Sequence, residues 1–155
     1  VRILPKPTAE EAPITIHRFS PEGMLQDTPY HHVAVGTGAT HIHVSGQISR
    51  TADGTPVAPG DLAGQVAQAL RNTALGLAGA GASFEDVLRL TFYVTAWSPE
   101  KIGDLMAGVD AVAPEVGLPL PMPPASLIGV DQLFEPDVLV EVEDVSGTPT
   151  FRIVR

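Results

Sequence analysis

The segment from Pro59 to Gly81 most constrains what this chain can fold into. Asp61 precedes Leu62, Val66, Ala69, Leu70, Thr73 and Leu77. That spacing lays one apolar stripe along a single helix face. Asp61 suits the N-cap, where a short acceptor side chain takes an orphan backbone N–H. Gly79 and Gly81 end the helix. A second helix opens at Ser98-Pro99-Glu100, with serine at the N-cap and proline in the first turn. Ile102, Leu105, Met106 and Val109 form its apolar stripe.

Around these helices lie segments of period two. Ile14–Phe19 alternates, and His32–Gly36 and His41–Ile48 are strand-like. The turn at Thr37-Gly38 joins the latter two as a hairpin. Within the second, Ile42, Val44 and Ile48 share one face and His41, His43, Ser45 and Gln47 the other. Val87–Val94, Ser126–Val130 and Val138–Glu143 are further strands, and Phe151–Val154 adds a short terminal one. Ser20–Pro29, Thr51–Gly60 and Ala113–Pro124 read as loops, the last too rich in proline to be regular.

Helices that interrupt the strands without strict alternation imply an α+β fold: one sheet with two helices packed on one face. The expected organisation is an extended N-terminal arm over 1–13, a single domain over 14–147 and a C-terminal extension over 148–155. The arm holds three prolines and two adjacent glutamates.

Composition narrows the partners. The 155 residues suffice for one domain with a real core. With 44% hydrophobic and 17% charged residues, the surface is apolar for a small chain, which suits burial between subunits. The net charge of -9 argues against nucleic acid, which needs clustered Lys and Arg. Cysteine is absent, so no disulfide, thiolate metal site or cysteine nucleophile exists. No apolar run approaches the roughly 20 residues of a membrane span, and residues 1–13 lack the apolar core of a signal peptide. A cytoplasmic protein without membrane contact is the expectation.

Several residues carry chemistry. His41 and His43, alternate on a strand, can present two imidazoles to one metal, with His31 or His32 as a third ligand if the hairpin register allows; the ordinary reading, that they are surface or interface histidines, is preferred, and no metal is expected. Gly46 in Ser45-Gly46-Gln47 lets a ligand approach a backbone N–H, or marks an ordinary bulge. Glu141 and Glu143 share one strand face. A carboxylate in an apolar pocket there can position a water, whereas a solvated face suits Glu143 better. Tyr30 offers a phenol to a ligand, or packs half-buried with its hydroxyl in water. No nucleophile elbow and no phosphate-cradling glycine loop is present.

These pieces stand in a familiar order. Val44-Ser45-Gly46-Gln47-Ile48, then Gln65, Gln68-Ala69-Leu70-Arg71-Asn72 and Gly79-Ala80-Gly81 resemble the opening half of the reactive intermediate deaminase (Rid, or YjgF-type) family. Asp86–Val94, Pro123-Pro124-Ala125-Ser126, and Val140-Glu141-Val142-Glu143 resemble its closing half. The likeness runs from about Pro29 to about Val145. It implies a chorismate-mutase-like fold, a homotrimer with ligand clefts between subunits, and hydrolysis of reactive enamines and imines without cofactor or metal. It also implies that Tyr30 belongs to the pocket, that the Gly46 backbone faces the ligand, that Glu141 holds the attacking water, and that Ser126 stands beside the pocket arginine.

The departures are as informative. Ala125 occupies the position of that arginine, whose bidentate grip on a substrate carboxylate an alanine cannot supply. Leu127 stands where the family often has cysteine, and Asp104 near a common asparagine. Arg18, Arg50 and Arg89 are candidate replacements, although Arg89 is poorly placed to reach. The expected function is therefore hydrolysis of a small imine or enamine that is not a simple 2-imino acid. The alternative is a non-catalytic trimer that binds a small molecule or a partner. RNA cleavage, attached by name to some relatives, is disfavoured by the net charge of -9.

Overall fold

The computed structural model describes residues 16–37 and 40–148. The N-terminal arm and the expected strand at Phe151–Val154 lie outside the described residues. Strands β1 (Ile16–Phe19), β2 (Val33–Gly36) and β3 (Thr40–Gln47) precede helix α1 (Leu62–Gly79). Then come β4 (Val87–Thr95), helix α2 (Ile102–Val116), β5 (Ala125–Val130) and β6 (Val140–Thr148). Four strands form a mixed sheet in the order β3-β6-β4-β5, in which only the β4–β5 pair is parallel. The expected α+β architecture holds, with both helices on one face of this sheet.

Two expectations need correcting. β2 pairs with β1, Ile16 opposite Gly36, and the two form a separate two-stranded ladder. The expected hairpin between β2 and β3 is replaced by pairing of β3 with β6. The alternation that makes a strand does not name its partner, and Val44 finds its apolar surface against α1 at Gly76 rather than beside β2. Second, α2 continues through the start of the supposed loop to Val116, with Pro114 inside it. Ala113 and Val112 are buried while Asp110, whose carbonyl loses its partner at Pro114, is exposed. An exposed carbonyl is open to solvent, so its lost partner costs little, and core burial carries the helix on. Gly117, in the left-handed region at φ 71, closes it, and the buried Leu118 N–H returns to the Ala113 carbonyl at 3.0 Å.

The N-terminus of α1 matches expectation: an Asp61 carboxylate oxygen accepts the Gly64 N–H at 3.1 Å. Val66, Leu70 and Leu77 are fully buried against Val87, Leu90, Val109 and Val140. Close approach is what makes the layers fit. A Cβ on Gly76 would lie 2.9 Å from a Val44 methyl, and one on Gly108 would lie 2.8 Å from the Val66 Cβ. Gly76 thus seats α1 on β3, and Gly108 seats α2 on α1.

Candidate functional site

β6 sorts its side chains cleanly. Val140 and Val142 are fully buried under the helices, so Glu141 and Glu143 leave the sheet on its other face. Glu141 is half-buried and Glu143 exposed. Gly46 comes against Glu141 from the neighbouring strand, at a register shift between Val44 and Gln47. A Cβ on Gly46 would stand 2.5 Å from Glu141 Cδ and 2.7 Å from its Cγ, closer than real side chains come. The bare backbone of Gly46 is therefore the bed on which the Glu141 carboxylate rests.

Tyr93 lies directly opposite Glu141 on β4. Its phenol is held above the usual 10, chiefly by its hydrogen bond to Glu143, then by desolvation and the negative charges of Glu143 and Glu141. Sequence reading missed Tyr93 as a site residue. The signal was present: with Arg89 and Thr91 it occupies the polar side of an otherwise apolar strand.

A buried amide braces this site from behind. Gln65, 1% exposed, accepts the Leu139 N–H at 2.9 Å and donates to the Asp137 carbonyl at 3.0 Å. It thereby fixes the entry of β6 two residues before Glu141.

Tyr30 sits elsewhere. It forms an isolated bridge with Met122, flanked by bonds of 2.8 Å from His31 N to Met122 O and from Met122 N to Pro29 O. Its ring meets His32 edge-on at 5.3 Å. Tyr30, Phe19, Thr28, His31 and Pro121 line a cleft of about 450 Å³. Three residues beyond Met122, Ala125 and Leu127 pack half-buried against the core. Ser126 leaves β5 on the opposite face, where its hydroxyl accepts a 2.6 Å hydrogen bond from Arg89. β3 and β5 are the two outer strands of the sheet, so a single chain does not bring Gly46 and Glu141 together with Tyr30, Ala125 and Leu127.

Each described basic side chain is engaged. Arg18 donates to the carbonyls of Phe84, Glu85 and Val87, and burial lowers its pKa. Arg50 bonds Glu135 and Asp137 at 2.8 Å each, Arg71 bonds Glu115 at 2.9 Å, and Lys101 donates to the Ala96 carbonyl at 2.7 Å. Arg50 nevertheless lies near Gly46, on a cleft of about 460 Å³ that also includes Gln47, Asn72 and Leu75. Asn72 ties this wall down by donating to the carbonyls of Ile48 and Arg50, both at 2.9 Å.

The exposed rings of His41 and His43 stand 6.4 Å apart. His32 is engaged with the Leu25 carbonyl at 2.6 Å, and β2 is not beside β3, so the third ligand does not arrive. Among the described residues, no group of three His, Asp or Glu could hold a metal ion. One further carboxylate escaped sequence reading. Asp144, 2% exposed, faces the helix side of β6, where burial pushes its pKa up to about 6 against a hydrogen bond from Ser146.

Two helices on one face of a mixed sheet, with a carboxylate bedded on a glycine across the other, define a small α+β scaffold with its polar site on the open sheet face. The sequence model described as Endoribonuclease L-PSP matches residues 22–146, and the chain belongs to that family, the Rid/YjgF proteins. YyfB of Yersinia pestis, a Rid-family protein of unknown function, is 30% identical, with 85% of this chain and 98% of that one covered and a TM-score of 0.75. The YjgF gene product of E. coli is 26% identical over 84% of this chain and 92% of that one, at a TM-score of 0.59. E. coli TdcF, solved with bound serine, is 23% identical over 88% and 98%, at 0.59, a likeness in fold alone. No curated protein matches the chain. Among the described residues, no helix is long and apolar enough to cross a membrane.

Proposed function

We propose that this chain is a Rid-type hydrolase of small imines or enamines, acting in a cleft completed between subunits of a homotrimer. The observation that carries the reading is the Glu141 carboxylate seated on the Gly46 backbone. A carboxylate so placed can hold a water and take its proton as the oxygen attacks an imine carbon. The placement of Ala125 and Leu127 on the far strand β5, with Tyr30 beside Met122 just before it, supports a site that needs a second copy. Ala125 leaves no guanidinium for a substrate carboxylate, so the substrate differs from a simple 2-imino acid. No cofactor enters the reading, and the net charge of -9 speaks against an RNA substrate.

Ala125 also favours a second reading, a trimer that binds a small molecule or partner without turnover. Ammonia release separates the two. 2-Iminopropionate is generated with an amino-acid oxidase and a carboxylate-free imine with an amine oxidase, each in competition with semicarbazide. The hydrolase reading expects acceleration of the carboxylate-free imine, loss of it in Glu141→Gln, and gain of 2-iminopropionate hydrolysis in Ala125→Arg. Inert wild-type protein on both imines, with saturable ligand binding, establishes the second reading.

A further inference from the structure

We propose that residues 149–155 of this chain dock in a groove between the carbonyl ends of α1 and α2, with Phe151 and Ile153 filling it and Arg152 and Arg155 offsetting its negative charge. The groove lies on the helix side of the sheet, whereas Glu141 leaves on the other side, so the proposal stands apart from the catalytic reading.

The groove has a volume of about 560 Å³ and is lined by Ala74, Leu75, Ala78, Ala82, Phe84 and Val116. At its rim Arg71 and Glu115 neutralise each other at 2.9 Å. Leu75 is 71% exposed, so a large apolar side chain stands in water at the mouth. Ala78 lies in the last turn of α1 and Val116 in the last turn of α2. Both line the groove, so the two helices bring their carbonyl ends to one place. Each end carries a partial negative charge of about half a unit. Neither helix has a basic residue in its last turn. The exposed carboxylate of Glu85 adds to the same side, one residue beyond Phe84. An apolar segment carrying cations is the complement of this surface.

Residues 149–155 have that chemistry and start within reach. Ser146 faces Val87 across the β4–β6 ladder. Thr148, the last described residue, therefore leaves the sheet beside the turn Phe84–Asp86, and Phe84 lines the groove. Seven residues extend to about 24 Å, enough to cross that turn. They include Phe151, Ile153 and Val154, two arginines and no acid. Burying Phe151 and Ile153 against the alanines and Leu75 removes apolar surface from water on both sides. Arg152 and Arg155 then stand at helix C-termini, where cations are favoured. Residues 1–15 also begin near this turn, because Arg18 donates to the Phe84 carbonyl at 3.2 Å. They set Glu10 and Glu11 against Arg2 and Lys6 and hold no aromatic residue, so they answer neither the charge nor the apolar room.

The natural chain has no cysteine, so a cysteine pair placed in the full chain reports the contact without background. Ala78 is exposed, and Ala78→Cys with Ile153→Cys leaves the core untouched. In a glutathione redox buffer this pair should close within one chain. Its equilibrium should fall about tenfold or more when Phe151→Asp is added, because the tether is unchanged and only the docking is lost. Asp131→Cys with Ile153→Cys, at the opposite end of the sheet, should stay open. Hydrogen exchange gives a second reading without cysteines: Phe151→Asp alone should speed the amides of residues 78–84 about tenfold and leave those of 62–70 unchanged. A disulfide equilibrium indifferent to Phe151→Asp, or unchanged exchange in that variant, overturns the proposal. A disulfide between chains overturns it in favour of the same segment from a second copy. Preferential closure of Leu4→Cys with Ala78→Cys overturns it in favour of residues 1–15.

Discussion

Gln65 and Leu139 join the first helix to the last strand: the buried amide oxygen accepts the Leu139 N–H at 2.9 Å while its nitrogen donates to Asp137 O at 3.0 Å and Ala58 O at 3.3 Å. Replacing it with leucine keeps the volume and orphans a buried N–H and two carbonyls. Gln65→Leu should cost about 3 kcal/mol, because each unsatisfied buried group costs about 1–3 kcal/mol. Urea unfolding measures this. A loss under about 1 kcal/mol would show that the backbone around 137–139 finds other partners.

Gly46 and Gly108 both lack room for a methyl group, yet substitution should act differently at each. The atoms over Gly46 belong to the Glu141 side chain, which can swing away. Gly46→Ala should leave stability within about 1 kcal/mol but displace the carboxylate, with an activity loss of about a hundredfold for a shift near 1 Å. A crystal structure of the variant and an ammonia-release assay check both parts.

Over Gly108 stand the Ala63 carbonyl and the Val66 Cβ, and backbone cannot step aside. Gly108→Ala should push α2 off α1 and cost about 1–3 kcal/mol, despite the better helix propensity of alanine. Thermal unfolding of Gly108→Ala beside Gly46→Ala would show the contrast, and equal melting temperatures would refute it.

What was legible in the sequence follows from range. Asp61, the stripe from Leu62 to Leu77 and the Val140–Glu143 alternation are local, and each kept its reading. Pairing is not local: the repeat that marks β3 is satisfied equally by β2 or β6, and the structure pairs it with β6, with Val44 seated against α1 at Gly76. Pro114 misled because its local rule assumes that the lost carbonyl partner is costly, and at the exposed Asp110 it is not. In the candidate site, Gly46 and Glu141 were named from motif order and met in space. Tyr93 and Asp144 were not named: the alternation of β4 puts Tyr93 on its polar side, but that it stands opposite Glu141, and that Asp144 is buried, depend on what faces them across strands. Ser126 and Ala125 were grouped as neighbours in sequence, although a strand sends neighbours to opposite faces.

Asp144 sets the pH dependence. Its carboxyl has a pKa of about 6 in the fold against an ordinary 3.8, because it is buried with only Ser146 Oγ as donor and with Oδ1 unpartnered. The folded state therefore binds the proton more tightly than the unfolded one. Between about pH 4 and pH 6 the folded protein holds a proton that the unfolded chain has lost, so stability falls as pH rises and levels off above pH 6. The two-unit shift corresponds to about 3 kcal/mol. Paired surface carboxylates such as Glu115, held low by Arg71, act with the opposite sign, so the raw profile mixes both. The difference between wild type and Asp144→Asn isolates the buried group. The asparagine variant should gain stability relative to wild type as pH is raised from 4 to 7, by about 2–3 kcal/mol in total. Urea unfolding across that range measures it, and parallel curves would mean that Asp144 is hydrated in solution and ionises at its ordinary pH.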